Sequence, residues 1–186
     1  YDDERVIAGQ GTAGLEITQQ LNSLERELDM FFCCCGGGGL MAGTALALSE
    51  HFRQAKLYTV EPDGLDDTAR SLAAGKRQTN DPSARSICDA IVTPSPGLLT
   101  FPIVQSKVAG GKVVTDEEAL SAMKTAWDYF KLTVEPGGAV ALAASLKQEV
   151  IASHTGDKRK NVVAMLSGGN CDKDIFAQAL AAPTLI

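Results

Sequence analysis

The chain has 186 residues, 45% of them hydrophobic, with a formal net charge of −6. That length suffices for one domain with a sizeable core, and the acidic balance offers no basic footprint for nucleic acid or an anionic membrane. No apolar run reaches membrane-spanning length, and the opening YDDERV has neither the basic nor the apolar region of a secretion signal, so a cytoplasmic setting is expected.

The chain opens with Arg5 to Ala8, which reads as a short strand, followed by an amphipathic helix from Thr12 to Leu21. Gly9, Gly11 and Gly14 join them in the spacing G-x-G-x-x-G. A dinucleotide site would want an acidic residue at the end of the next strand, and that strand ends instead in Cys35 and four glycines. The three glycines therefore read as a tight strand-to-helix turn lying close to another backbone or a ligand. Met30 to Cys35 is a buried strand, cut off by Gly36, Gly37, Gly38 and Gly39, after which Leu40, Leu46, Leu48 and several alanines resume with a helical texture. Glycines there leave no Cβ in the way, so backbone N–H groups can converge on an anion at the positive end of the helix; a phosphate is the natural occupant.

Five cysteines, three of them adjacent, make a poor disulfide framework, because neighbouring strand residues point to opposite faces; a reducing compartment fits better. Cys33, Cys34 and Cys35 lack a CxxC pair, and His51 and His154 lie in unrelated contexts. The thiols read as small buried apolar groups rather than zinc ligands.

Lys56 to Val60 is the next strand. It runs into EPDGLDD and a polar helix from about Thr68 to Ala74, with Asp63, Asp66 and Asp67 as an acidic helix start. Strands alternating with helices predict a parallel sheet, with ligands gathering beyond the strands' carboxyl ends, where Gly9, Gly36 and Glu61 fall. Gly75 to Asp81 reads as exposed. Ile87 to Val92 is a short apolar piece, and Pro94, Pro96 and Pro102 predict an irregular wrap. Thr115 is an N-cap before an acidic turn and a helix from Glu118 to Phe130. Gly137 and Gly138 open an alanine-rich helix through about Ala152, with Glu135 placed to cap it. Lys158, Arg159 and Lys160 read as a solvated loop. Asn161 to Leu166 is a buried strand ending in the glycine turn SGGN, and Lys173 to Ala181 is a closing helix. The whole is an α/β, three-layer arrangement, a mostly parallel twisted sheet with helices on both faces and strands near Val6, Phe32, Tyr58 and Val163.

Four segments recur together in order: GQGTAGLEI, CGGGGLMAG, VEPGGAVALAA and LSGGNCD. In that order they resemble the pyridoxal-phosphate-dependent serine/threonine dehydratases and serine racemases, whose shared architecture is the tryptophan synthase β-like fold, or fold type II. The resemblance covers essentially the whole chain and implies pyridoxal 5′-phosphate as the anion's source. It carries Gly36 to Gly39, continued by Leu40, onto the family's phosphate cradle. Ser167 falls beside the pyridine nitrogen, and Glu135 lines the cofactor ring. A hydroxyl beside that nitrogen cannot keep it protonated, which makes the ring a weaker electron sink and favours elimination of a β-hydroxyl. EPDGLDD resembles the family's divalent-metal site, with Glu61 and Asp67 supplying carboxylates and Leu65 its carbonyl to magnesium or calcium.

The family's Schiff-base lysine lies in a motif upstream of the GQGT segment that this sequence does not contain. Lys107, in QSKVAG, is the nearest imitation, in the wrong setting. Residues 1–186 therefore resemble the C-terminal part of the cofactor-binding large domain, with the lysine-bearing segment and the small substrate domain expected upstream. The resemblance implies a homodimeric ammonia-lyase acting on threonine, serine or 3-hydroxyaspartate, with serine racemase as the alternative within the family. Outside it, the alternative is a non-catalytic phosphate-binding module. No regulatory tail of the threonine-deaminase kind is expected before Ile186.

Overall fold

A computed structural model describes residues 1–152 and 160–185. His154, Lys158 and Arg159 lie outside the described residues. Within the described residues, eight α-helices and four strands run in the order α1 (Glu4–Ser23), β1 (Met30–Cys34), α2 (Gly39–His51), β2 (Lys56–Pro62), α3 (Asp67–Ala74), α4 (Thr100–Lys107), β3 (Gly110–Val114), α5 (Asp116–Thr125), α6 (Pro136–Ser145), α7 (Gln148–Ala152), β4 (Val162–Ala164) and α8 (Lys173–Ala181). A short 3₁₀ turn at Asp89–Ile91 precedes α4, and a π-helical turn at Ala126–Phe130 extends α5. The strands form one parallel sheet in the order β3-β2-β1-β4, with Phe32 opposite both Tyr58 and Ala164.

Strand β1 is the centre. Its residues alternate between two cores, Met30, Phe32 and Cys34 on one face and Phe31 and Cys33 on the other. The first core is closed by α5, α6 and α8 through Ala119, Met123, Val140 and Ala179. The second is closed by α1, α2 and α4 through Ile7, Met41, Leu48 and Val104. Phe31 and Phe32 are both fully buried, each contributing roughly 1.5–3 kcal/mol. Both faces of β1 are thus covered, as the reading of a buried strand requires. Strand β4, at the sheet edge, is half-buried.

Several elements differ from the sequence expectation, each for a physical reason. Residues Arg5 to Ala8 are not a strand but the first turns of α1, started by Asp3, whose carboxylate accepts from the Arg5 N–H at 2.8 Å. Gly11 and Gly14 lie inside that helix, where they let α2 approach: a Cβ on Gly11 would stand 3.2 Å from the Gly43 carbonyl oxygen, and one on Gly14 would stand 2.8 Å from the Ala47 Cβ. The fourth strand is β3 instead, and its Gly111 admits α3 at Ala69. The proline-rich wrap contains a helix, α4, with Pro102 in its first turn, where a missing N–H costs nothing. The alanine-rich helix breaks at Leu146 into α6 and α7. Asn80, in the stretch expected to be exposed, is 9% exposed and bonded to Asp67 and Thr93. Thr115 is an N-cap, and with Glu118 it forms a full capping box.

The glycine contact between α1 and α2 yields a test. A Cβ at Gly43 would collide with the Ile7 carbonyl and stand 2.6 Å from the Gly11 nitrogen, whereas one at Gly9 meets nothing within 4 Å. Gly43→Ala is expected to destabilise the protein by about 1–3 kcal/mol and Gly9→Ala to stabilise it by about 0.5–1 kcal/mol, read from urea denaturation midpoints.

Candidate functional site

All four strands are parallel, so their carboxyl ends open at one edge, where ligands gather in sheets of this kind. A cavity of about 320 Å³ lies there. It is lined by Gly36, Gly37, Gly38, Gly39 and Leu40 after β1, Glu135 ahead of α6, Ser167 after β4, and also Cys34, Tyr1 and the Ala90–Ile91 turn. Stretches far apart in the chain thus meet in one place, because β1 and β4 are neighbours and α6 packs on β1.

The glycine loop has the shape of an anion cradle. Gly38 has φ +92° and stands at the N-cap of α2, whose first N–H groups have no partner within the helix. The loop's carbonyls turn away from the helix start: Gly37 O accepts from Gly97 N at 3.1 Å and from Thr100 Oγ1 at 2.6 Å, and Gly38 O accepts from Ala42 N at 2.8 Å. Side chains are excluded. A Cβ on Gly36 would stand 2.8 Å from the Ile91 oxygen, and one on Gly37 would overlap the Tyr1 ring. A phosphate with its equatorial oxygens on backbone N–H groups fits such a loop. Behind it, the Asp2 carboxylate accepts from the N–H groups of Leu98, Leu99 and Thr100 at 2.7–3.2 Å, which fixes the segment that holds Gly37.

Glu135 occupies the N-cap position of α6, but its carboxylate makes no capping bond; its backbone carbonyl accepts from Gly138 N and Ala139 N instead. The expectation of a carboxylate cap is corrected by this geometry. The side chain lies against Gly168 in the turn that carries Ser167, where a Cβ would push the carboxylate aside. Ser167 Oγ lies 3.2 Å from Cys34 Sγ. No lysine lines the cavity among the described residues, and Lys107 ends α4 away from it.

Glu61, Leu65 and Asp67 gather at the end of β2. Glu61 is fully buried, its two oxygens accepting from Thr68 N and Ala69 N at 2.8 Å each, so it is Glu61 that caps α3. Asp67 Oδ1 accepts from Asn80 Nδ2 at 2.5 Å, while its buried Oδ2 has no partner. Burial pushes the Glu61 carboxyl up to about 8, reinforced by the Asp67 charge and opposed by the Thr68 and Ala69 N–H groups. Burial also raises Asp67 to about 6, against the Asn80 hydrogen bond. Two neighbouring buried acids with an unpartnered oxygen suit a hard divalent cation. Among the described residues, no group of three or more His, Cys, Asp or Glu side chains could hold a metal, so any further ligands would be carbonyls and water.

Sequence reasoning missed Cys34, Tyr1, Asn80 and the Ala90–Ile91 turn as parts of these sites. For Cys34 a signal existed, its adjacency to the glycine loop; the others are placed by tertiary contacts alone.

The description "Pyridoxal-phosphate dependent enzyme" belongs to the family model that matches residues 1–168. A serine racemase of Dictyostelium discoideum is 39% identical over 97% of this chain and 53% of its own length. A beta-hydroxyaspartate dehydratase of Paracoccus denitrificans is 35% identical over 94% of this chain and 52% of its own. The crystal structure of a threonine deaminase from T.th. superposes with a TM-score of 0.83 at 38% identity, over 92% of this chain and 61% of that one. The chain thus spans about half the length of the curated relatives it matches.

The buried acids make stability depend on pH. A carboxyl that holds its proton more tightly folded than unfolded makes folding less favourable as pH climbs from the unfolded value to the folded one, here from 4.5 to about 8 for Glu61 and from 3.8 to about 6 for Asp67. In chelator-treated buffer, the urea midpoint is expected to fall as pH rises across that window and to level off above it. Glu61→Gln should flatten most of the slope.

Proposed function

The chain belongs to the pyridoxal-phosphate dependent enzyme family, and from that premise we propose that its parent is a lyase eliminating water and then ammonia from a β-hydroxy amino acid to give a 2-oxo acid. The observation that carries this reading is the meeting of the tetraglycine loop, Glu135 and Ser167 in one cavity at the sheet's carboxyl edge. The dehydratase and deaminase among the relatives support it. Serine racemisation is a second reading, favoured by the 39% identical relative of that name.

When bound, pyridoxal phosphate supplies a ring that withdraws electrons from the amino acid's α-carbon and so makes its C–H acidic. This chain's residues bind and tune that group. The N–H groups of Gly36 to Gly39 and Leu40 would hold the phosphate at the N-terminus of α2, and the loop's crowding by Ile91 and Tyr1 keeps side chains out. Ser167 would offer its Oγ–H to the ring nitrogen and keep the proton, because a hydroxyl is too weak an acid to protonate a pyridine. Glu135 lines the ring edge. Glu61, Asp67 and the Leu65 carbonyl would hold magnesium or calcium and so tie the end of β2 to α3, and Thr68, whose Oγ1 lies 3.5 Å from Cys35 Sγ, would pass that support to the end of β1. The lysine and the substrate-gripping domain belong to the remainder of the parent, a cytoplasmic homodimer; the isolated chain binds anions without turnover.

The reading is tested on the full-length protein with L-threonine, L-serine and 3-hydroxyaspartate. Release of equal amounts of 2-oxo acid and ammonia is expected, and formation of the opposite enantiomer without ammonia would favour racemisation. Gly38→Ala, forced into a left-handed backbone 2.9 Å from Thr100 Oγ1, should weaken cofactor binding by about tenfold in equilibrium dialysis.

For the metal, chelator should lower the melting temperature and added magnesium or calcium should restore it. Replacing Glu61 and Asp67 together by alanine should remove the response; a wild-type protein indifferent to both treatments would leave Glu61 as a helix cap only.

A further inference from the structure

We propose that Cys34 is a positioning residue for Ser167: its thiol occupies a lone pair of the Ser167 oxygen and so aims the serine proton at the cofactor's ring nitrogen. The proposal rests on the reading of Ser167 given above.

Only one of the three adjacent thiols can do this. Alternation along β1 sends Cys33 and Cys35 to the core under α1 and α2 and Cys34 to the opposite face; Cys34 and Cys35 both border the cavity, but it is Cys34 that meets Ser167. Cys33 Sγ donates to the Cys34 carbonyl at 3.4 Å, and Cys35 Sγ lies against Gly36 O and Thr68 Oγ1 at 3.6 and 3.5 Å. Cys34 Sγ is left with Ser167 Oγ at 3.2 Å, a contact bridging 133 residues of chain.

The direction of that hydrogen bond matters. A hydroxyl has one proton and two lone pairs, and its rotor turns to suit its neighbours. An unprotonated pyridine nitrogen can only accept, so Ser167 must spend its proton there, and its other partner must donate. A thiol can donate. The competitor for the serine proton is the Glu135 carboxylate, which lies against Gly168 in the same turn and can only accept when ionised. Cys34 thus does two things with one group: it fills the serine's acceptor site and draws the oxygen toward β1, away from Glu135. A valine or alanine at position 34 would fill space but leave the rotor free to turn to the carboxylate.

The test uses the full-length protein and two readouts besides turnover, the cofactor dissociation constant from equilibrium dialysis and the absorption spectrum of the bound cofactor. Cys34→Ala and Cys34→Val are expected to raise the dissociation constant about threefold to fivefold, the scale of one neutral hydrogen bond, and to shift the spectrum. Cys34→Ser, which restores a donor, should return both to wild type. Ser167→Ala should shift the spectrum in the same direction, and adding Cys34→Ala to it should have no further effect. Melting of the cofactor-free variants identifies any that fail to fold, and alanine and valine bracket the thiol's volume so that one folded variant suffices. Wild-type affinity and spectrum in a folded Cys34→Ala or Cys34→Val protein, with Ser167→Ala still shifted, would reduce Cys34 to a space filler and overturn the proposal. An unshifted Ser167→Ala would instead overturn the Ser167 reading on which it stands.

Discussion

Everything in this molecule depends on β1 being buried on both faces. A strand covered by helices above and below must be apolar at every position, which is why FFCCC shows no alternation although its side chains do alternate in space. The same burial governs how the chain leaves the sheet. At the carboxyl end of β1 the backbone passes between Tyr1, the Ile91 carbonyl and Thr100, with no room for a Cβ at three successive positions. The glycines proposed to cradle an anion are therefore also the residues that let a doubly covered strand turn into α2. Cradle and core are two results of one packing constraint.

The second covered face needs α1 and α2 to lie close, and this is achieved by removing side chains rather than by interlocking them. Gly11 and Gly14 on one helix meet Gly43 and Ala47 on the other. Small residues at a helix crossing bring backbones together, and Ile7, Leu21, Met41 and Leu48 then close the core around the crossing. On the other face, α6 is buried along all ten of its residues, so its alanines act as filler between β1 and α5.

Much of this was legible in the sequence where the signal is local. The apolar run broken by four glycines, the acidic turn after Thr115 and the closing helix from Lys173 each follow from a few neighbouring residues. The misreadings share a cause. Gly9, Gly11 and Gly14 imitate a turn because spacing alone does not say that the partner of Gly11 and Gly14 is a helix farther along the chain. The sequence GGKVV has poor strand propensity and becomes β3 only by pairing with β2 and admitting Ala69. Pro102 argues against a helix unless the helix is known to begin just before it. For the sites, Gly36 to Gly39, Glu135 and Ser167 could be chosen by motif. The Asn80 bridge between Asp67 and Thr93 could not, since a polar residue in a polar stretch gives no sign of burial.

The bond set at Asp2 bears on the order in which the protein folds. Its carboxylate reaches Leu98, Leu99 and Thr100 across 96 to 98 residues, and Thr100 in turn holds Gly37 across 63. Contacts of such sequence separation close late, because chain entropy must be lost before they repay it. The sheet can form from β1 and β2 with α2 between them while the loop beyond β1 is still open. The glycine loop then acquires its shape only after that local unit has formed, alongside the other long-range contacts such as the pairing of β1 with β4.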